Sequence, residues 1–206
     1  MNTAFAQTDH ATHFELAAGV GVGSTDELLD GYKFAPSRHY NIVDQYSGTF
    51  TGGVRYLFND GSSLGIMTAY EKESGTWQAY QNSSNSINAQ AIKLGTYSLQ
   101  ALTLVLELKG YYNKKNAATS LTRMYITLAS GVTIKQETDR YSDSYYASLY
   151  PNGTNVTASQ QATGKAYHYN GYFSPFGISV GHRLSWCAEL GIGYKGIINT
   201  GVTLKL

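Results

Sequence analysis

Six ionisable residues fall where a β-strand would turn them to the same side as glycine and alanine. Successive side chains of a strand face opposite sides of a sheet, so apolar–polar alternation assigns each residue to a face. Carboxylates and guanidinium groups gathered inside a closed sheet can pair with one another, or they can relay protons or ions. The six residues are Glu15, Arg55, Glu71, Glu107, Arg123 and Glu189.

Histidine chemistry is the other candidate. A hydrolase or acyltransferase needs a nucleophile beside a base, and the five histidines show no recognisable serine–histidine–acid spacing. His39 and His168 could approach Ser37 or Ser174 only through the fold. The His10-x-x-His13 pair falls in a segment that we expect to be frayed, which argues against a metal site. We therefore expect no catalytic residue, no metal site and no cofactor. The five histidines are His10, His13, His39, His168 and His182.

The elements that would position the charges are alternating segments, which predict eight β-strands. Leu102, Leu104, Leu106 and Leu108, for example, alternate with smaller or polar residues. The final segment alternates in the same way up to Leu206. The predicted strands cover about residues 13–23, 47–58, 63–72, 95–112, 118–137, 165–181, 184–194 and 198–206.

The connections between these strands are of two kinds. Long polar segments cover residues 24–46, 73–94 and 138–164, whereas Asn59–Ser62, Asn113–Asn116, His182–Arg183 and Lys195–Gly196 are short. Long loops on one side and tight turns on the other are typical of outer-membrane barrels. The pattern predicts an all-β, eight-stranded, antiparallel up-and-down transmembrane barrel with three long extracellular loops and short periplasmic turns.

The two faces of each strand predict which side meets lipid. The bulky aliphatic residues share one face, and the opposite face mixes glycine and alanine with the six charges. That second face is too small and too charged for a dry core, so we expect the aliphatic face to contact lipid. An eight-stranded barrel has an interior that side chains just fill. The charges should then pair as a structural plug, with a gate or proton path as the alternative.

Composition limits the remaining options. A length of 206 residues suits one domain, and a net charge of +1 gives no electrostatic basis for binding nucleic acid. Cys187 is the single cysteine, so no disulfide can form within the chain. No segment reaches the roughly 20 apolar residues of a membrane-spanning helix. The Ala4-Phe5-Ala6 tripeptide fits an export-signal cleavage site, so we expect residues 1–12 to be a signal remnant and disordered N-terminus, and residues 13–206 to form the barrel domain.

Aromatic residues recur near the predicted strand ends. The chain has 18 tyrosines, and tyrosine is enriched at membrane interfaces. Trp77, Tyr80, Tyr145, Tyr146 and Tyr150 fall in the predicted outer loops, where carbohydrate stacking is an alternative. Interfacial belts are expected from Tyr46, Phe50, Tyr56, Phe58, Tyr97, Tyr111, Tyr112, Tyr167, Tyr169, Tyr172 and Tyr194.

The last third of the chain resembles a known family. The segments Phe176–Gly181 and Ala188–Gly196, together with the terminal strand, are similar to small outer-membrane β-barrel proteins of Bacteroidetes, of porin-like or OmpA-like type. The resemblance implies integral location in the bacterial outer membrane, contact with membrane lipid and lipopolysaccharide, and insertion by the barrel-assembly machinery. That machinery would read the outward residues of the last strand, which are Ile198, Thr200, Val202, Leu204 and Leu206.

Several functions stay open on the sequence. We expect a non-enzymatic barrel with a plugged lumen, acting as a structural protein or as an accessory subunit beside other outer-membrane proteins. A narrow solute or ion channel is the first alternative, and a lipid-modifying barrel enzyme is a weaker one. A soluble ligand-binding barrel would require the apolar face to point inward.

Overall fold

A computed structural model of the chain describes residues 14–23, 39–59, 61–81, 90–112, 121–141 and 161–206. These residues form eight β-strands, and none of them forms a helix long and apolar enough to cross a membrane. The strands are β1 Phe14–Val22, β2 His39–Leu57, β3 Ser63–Gln81, β4 Gln90–Tyr111, β5 Thr122–Tyr141, β6 Gln161–Gly181, β7 Leu184–Gly193 and β8 Ile198–Lys205.

Each strand pairs antiparallel with the next, and β8 pairs with β1, which closes the barrel. The predicted eight-stranded, antiparallel, up-and-down architecture is thus confirmed. Turn chemistry sets some of the pairing. Between β2 and β3, the Gly61 N–H donates to the Phe58 carbonyl (2.9 Å) and the Phe58 N–H to the Ser62 carbonyl (2.8 Å). Gly61 has a φ of 86°, a conformation that glycine adopts without steric cost.

Five strands run further into the predicted long connections than the alternation indicated. β2 begins at His39 rather than near residue 47, and β3 continues to Gln81 rather than ending near residue 72. β4, β5 and β6 also extend into segments that we expected to be long connections. The remaining parts of those connections, residues 24–38, 82–89 and 142–160, lie outside the described residues, as do residues 1–13.

The extra length gives the barrel two regions. β1 pairs with β2 up to Gly21–Thr49, and β7 pairs with β6 only from Tyr172–Gly193 onward. We call the part of β2 to β6 beyond the row of Thr49, Glu71, Ala101, Lys135 and Ala166 the extension; it comprises residues 39–48, 72–81, 90–100, 136–141 and 161–165. We call the rest of the barrel the closed section. A bulge in β2 between Tyr46 and Thr49 marks the boundary, and Gly48 there has a φ of 73°.

The opposite end of the closed section carries the Phe58–Ser62 turn, the His182–Arg183 turn and the ends of β1 and β8 near Phe14 and Lys205. We call this end the terminal rim. The strands of a barrel tilt relative to its axis, so neighbouring strands are staggered. A residue at the rim on one strand therefore lies at the same height along the axis as a residue further from the rim on the next strand.

Side chains alternate between the outside and the lumen as the strand period requires. The large aliphatic residues of the closed section are exposed on the outside, and the charged residues among them are buried inside. Exposed outward residues include Leu16, Val20, Val54, Ile66, Leu102, Leu104, Leu106, Leu128, Trp186, Leu190, Ile192 and Val202.

Four of the aromatic residues expected in interfacial belts lie in the lumen instead. Tyr97, Tyr111, Tyr172 and Tyr194 are buried, each at most 7% exposed. The expectation was wrong for these four because a tyrosine can fill a lumen beside glycine. A Cβ on Gly191, for example, would lie 2.7 Å from the Tyr172 hydroxyl oxygen.

Candidate functional site

The centre of the lumen contains a row of charges that runs across four strands. Glu15 of β1 lies opposite Arg55 of β2, Arg55 opposite Gly65 of β3, and Gly65 opposite Glu107 of β4. The Arg55 guanidinium bridges the two carboxylates. Its Nη1 lies 2.8 Å from Glu15 Oε1, its Nη2 2.7 Å from Glu107 Oε1, and its Nε donates to the same Glu107 oxygen at 2.8 Å.

Glycine at position 65 is what lets the arginine cross β3. A Cβ there would lie 2.6 Å from Arg55 Cγ and 2.2 Å from the Val54 carbonyl oxygen. Contacts under about 3 Å do not occur without movement, so any side chain at position 65 would displace the arginine or the strand. Arg55 can therefore reach a carboxylate two strands away, whereas cross-strand pairs ordinarily join adjacent strands.

Three further charged residues extend this row: Lys195 in the turn after β7, Glu189 on β7 and Lys109 on β4. Lys195 Nζ lies 2.5 Å from Glu107 Oε2 and 3.1 Å from Glu189 Oε2. Lys109 Nζ lies 3.7 Å from Glu189 Oε1. The six residues, which we call the lumen ion cluster, are Glu15, Arg55, Glu107, Lys109, Glu189 and Lys195.

The lumen ion cluster is electrically balanced, with three carboxylates facing three cations. Every member is at most 3% exposed. Moving charges out of water is costly, and close opposite charges with further hydrogen bonds are needed to offset that cost. Tyr194 donates to Glu107 Oε2 at 3.1 Å and Thr127 to Glu189 Oε1 at 3.4 Å. The cluster therefore behaves as a neutral polar core.

Aromatic rings close the space around the cations. Lys109 Nζ lies 4.0 Å from the centre of the Tyr125 ring, and Lys195 Nζ lies 5.0 Å from that of Tyr172. Cation–π contacts of this length are favourable when they are shielded from water. Met67 and Val105 pack with Tyr172 and Tyr194. Ion pairs, rings and apolar side chains together occupy the middle of the closed section.

Two of the six charges expected in the lumen lie apart from this cluster. Glu71 sits at the boundary with the extension, where it accepts from the Thr49 hydroxyl (3.2 Å) and the Tyr46 hydroxyl (3.4 Å). Arg123 lies near the terminal rim, where its Nη2 donates to Ser185 Oγ at 3.3 Å. The structure brings Glu15, Arg55, Glu107 and Glu189 together and leaves Glu71 and Arg123 in separate surroundings.

Lys109 and Lys195 belong to the cluster although the sequence did not single them out. Lys109 could have been found, because it alternates with Glu107 on the lumen face of β4. Lys195 had no such signal, since a lysine in a tight turn ordinarily points into water. Gly21 allows the turn to fold inward: a Cβ there would lie 1.8 Å from the Lys195 carbonyl oxygen.

The last strand occupies the position expected for the strand that closes the barrel. β8 pairs with both β7 and β1. Thr200 is half-buried and donates to the Cys187 carbonyl at 3.1 Å. Of the five residues that we expect the barrel-assembly machinery to read, four are exposed on the outside: Ile198, Val202, Leu204 and Leu206.

The residues considered for other chemistry have structural contacts. The Ser174 hydroxyl donates to the Leu190 carbonyl at 2.8 Å, and five residues of β6 separate it from His168. Trp77 lies in β3 and donates from Nε1 to Asp139 at 3.0 Å. Ser37, Tyr145, Tyr146 and Tyr150 lie outside the described residues, and the side chains of His39 and Tyr80 are likewise not described.

No group of three or more histidine, cysteine, aspartate or glutamate side chains in the described part of the chain could hold a metal ion. Cys187 is free and buried beside Tyr111 and Tyr125. A cavity of about 140 Å³ lies where the extension meets the closed section, between Leu99, Lys135, Glu137 and His168.

Comparison of the chain with models of protein families, with curated proteins and with solved structures found no match.

Proposed function

We propose that the protein is an integral outer-membrane β-barrel that spans the membrane with its closed section and performs no enzymatic reaction. The observation that carries this proposal is the inverted distribution of side chains. Large apolar residues such as Leu104 and Leu106 are at least half exposed, while Glu107, which follows Leu106 on the strand, is fully buried. A water-soluble barrel would gain nothing from this arrangement, whereas a lipid environment favours it.

The outer surface also changes character along the strands. Tyr70, Leu102, Ile134 and Tyr167 form one outward row across β3 to β6. The next outward row, toward the extension, contains only charged or amide side chains: Lys72, Gln100, Gln136 and Lys165. This abrupt change supports a membrane boundary between the two rows, with the extension projecting into water.

The opposite boundary is supported by aromatic residues at the terminal rim. Phe14 and Tyr56 lie opposite each other with their ring centres 5.6 Å apart, and Phe58 continues the contact at 5.3 Å from Tyr56. On β4, the stretch from Leu102 to Tyr112 separates the two boundaries. Its length agrees with the roughly 9–11 residues that a tilted membrane strand requires.

Within this proposal the extension faces outside the cell and the terminal rim faces the periplasm. The outer surface of the closed section contacts lipid and lipopolysaccharide. We further propose that the barrel-assembly machinery inserts the chain through β8, as the resemblance to small Bacteroidetes barrels implies. The protein then acts as a structural component, or as an accessory subunit beside a larger outer-membrane complex.

Membrane integration is tested by fractionation of the expressed full chain. We expect the protein in the outer-membrane fraction after urea washing, and we expect unheated and heated samples to migrate differently in detergent gels. Recovery of folded protein in the aqueous fraction without detergent would refute the proposal and favour a soluble ligand-binding barrel.

The sealed lumen is tested separately by conductance. We infer that the tightly paired lumen ion cluster blocks a continuous water path through the middle of the closed section. We expect no steady single-channel current from purified protein in planar bilayers. Steady current from the unaltered protein that Lys195→Ala increases and Lys93→Ala does not would identify a channel gated by the turn after β7.

The choice between a structural protein and an accessory subunit requires a different measurement. Purification from the native membrane in mild detergent, followed by the determination of mass in solution, distinguishes a single barrel from a stable complex. A defined stoichiometric complex supports the accessory role, and a lone barrel supports the structural one.

A further inference from the structure

One buried arginine of the lumen has no carboxylate among the described residues to neutralise it. Arg123, the second residue of β5, is 8% exposed, and its Nε has no hydrogen-bond partner. Its Nη2 makes one long hydrogen bond, to Ser185 Oγ at 3.3 Å, and its guanidinium lies 5.4 Å from the centre of the Tyr111 ring. Buried charges are ordinarily paired, so this guanidinium is an exception that calls for an explanation.

The nearest elements add positive charge and hydroxyl groups. Ser179 lies directly opposite Arg123 on β6 and is buried. Ser185 of β7 lies opposite Thr203 of β8, and Lys205 is the next lumen-facing residue of β8 beyond Thr203. The lysine therefore enters the lumen beside the arginine, at the terminal rim.

Negative charge in this region is already engaged elsewhere. Glu15 lies opposite Lys205 in the β1–β8 ladder, but its Oε1 receives the Arg55 guanidinium at 2.8 Å. Neither Arg123 nor Lys205 has a carboxylate of the described residues within the 4 Å of an ion pair. Since the lumen ion cluster is neutral by itself, these two cations remain as uncompensated charge.

We propose that this end of the lumen is a binding site for a phosphate-type oxyanion, formed by Arg123 and Lys205 with the hydroxyls of Ser179 and Ser185. The unpaired Nε–H and the adjacent Nη2 of Arg123 present the planar pair of donors that binds two oxygens of one anion. The lysine supplies a second charge, and the Ser179 hydroxyl donates to a remaining oxygen. The Ser185 hydroxyl donates to the His182 carbonyl at 3.3 Å, and its part in the site is to hold the Arg123 Nη2 from which it accepts.

The anion enters from the terminal rim, because the lumen ion cluster blocks the way from the extension. Under the proposed function that rim faces the periplasm, and the chemistry fits either free phosphate or the phosphate of a lipid headgroup. The site itself depends on the lumen contacts and not on the membrane location. Its test can therefore fail while the proposed function stands.

The test uses the full chain, purified and folded in detergent without phosphate. Inorganic phosphate is titrated at constant ionic strength against chloride, and binding is followed by calorimetry and by the thermal midpoint. We expect saturable binding of one phosphate per chain with a rise in the midpoint, as any ligand of the native state produces. A response no larger than that to chloride would overturn the proposal.

Variants assign the binding to the site. Arg123→Gln should weaken phosphate binding by about tenfold or more, since hydrogen bonds to charged groups are among the stronger ones. Lys205→Gln and Ser185→Ala should each weaken it less. Arg140→Gln removes an exposed arginine from the other end of the same strand and should leave binding unchanged. Equal affinity of the Arg123→Gln and unaltered proteins would overturn the assignment.

The source of the anion is resolved by competition. A short-chain phosphatidylglycerol that displaces inorganic phosphate supports a lipid headgroup, and binding of inorganic phosphate alone supports a free anion. Should Arg123→Gln fail to fold, Lys205→Gln and Ser185→Ala provide the comparison. Unchanged affinity in both would then count against the site.

Discussion

The closed section and the extension share five strands but hold their lumen side chains together differently. In the closed section, three carboxylates and three cations lie within one connected cluster, and every member is buried. In the extension, Tyr97 donates to Glu73 at 2.5 Å, Trp77 donates to Asp139 at 3.0 Å, and the centres of the Trp77 and Tyr97 rings lie 5.4 Å apart. These hydrogen bonds join a carboxylate to a neutral donor, so loss of one donor should cost less than loss of a cation from the cluster.

The outer surfaces of the two regions also differ, because one is mainly apolar and the other carries charges. The closed section presents aliphatic residues, whereas the extension presents Lys72, Lys93, Arg140 and Lys165. Closure of the barrel, the apolar exterior and the lumen ion cluster all lie on the same side of one row of residues. Under the proposed membrane location, lipid contact and ring closure limit sequence change in the closed section, and the extension can change more freely.

Removal of Arg55 should cause the largest loss of unfolding free energy and so the largest contrast between the closed section and the extension. Arg55→Ala leaves Glu15 and part of Glu107 buried without their partner, which costs about 3–5 kcal/mol of unfolding free energy. Lys93→Ala, which removes an exposed cation from the extension, should change it by about 0.5 kcal/mol or less. Denaturant unfolding in detergent micelles measures both. Similar losses in the two variants would remove the distinction between the regions.

A lysine on the outer surface tests where the lipid contact ends. Leu104→Lys should cost about 2–4 kcal/mol if position 104 lies near the bilayer midplane, because a cation there contacts hydrocarbon. Gln136→Lys lies in the polar row and should have almost no effect. Unfolding in lipid vesicles is the measurement, since micelles tolerate surface charge. An equal cost at both positions would move the membrane boundary into the extension.

Glycine replacements compare the packing of the closed section with that of the extension. Gly65→Ala should destabilise by about 1–3 kcal/mol, the usual range for overpacking, because its Cβ would meet Arg55 and the Val54 carbonyl. Gly164→Ala places a Cβ where no atom lies within 4 Å, so its effect should be close to zero. Thermal midpoints of the two purified variants provide the check. A neutral Gly65→Ala would show that Arg55 has another route to Glu107.

The smallest expected effect concerns the extension alone. Trp77→Phe keeps the ring contact with Tyr97, whose centre lies 5.4 Å away, but removes the N–H that binds Asp139. The loss should be about 1 kcal/mol, typical of one hydrogen bond. A double-mutant cycle with Asp139→Asn isolates this pair. A coupling as large as that between Arg55 and Glu107 would mean that the extension also contains a connected network.

Much of the closed section could be predicted because one face of each strand differs sharply from the other. The alternating leucines of β4 predict both the strand and its outward face; they are Leu102, Leu104, Leu106 and Leu108. The first ten residues of β2, residues 39–48, carry no such signal. Asp44 and Ser47 are exposed there, the apolar Ile42 and Val43 are adjacent rather than alternating, and a period of two is invisible when the two faces do not differ.

The site was predictable in part for the same reason. Alternation placed Glu15, Arg55, Glu107 and Glu189 on the lumen face, but it could not say which charges touch. Arg55 reaches Glu107 across a strand because position 65 is glycine, and Lys195 reaches both glutamates because its turn folds over Gly21. Such contacts depend on how the barrel curves and staggers, which strand periodicity does not encode.

The sequence by itself determined the number of strands, their antiparallel order and the face on which each charge lies, because these follow from the period of two and the turn residues along the chain. Only the tertiary structure decided the partners of those charges, the inward turn with Lys195, the burial of four tyrosines that were expected in interfacial belts and the unpaired Arg123. Closure brings residues of β4 and β7, or of β5 and β7, into contact across the lumen, and distances across a closed ring are fixed by its diameter and stagger.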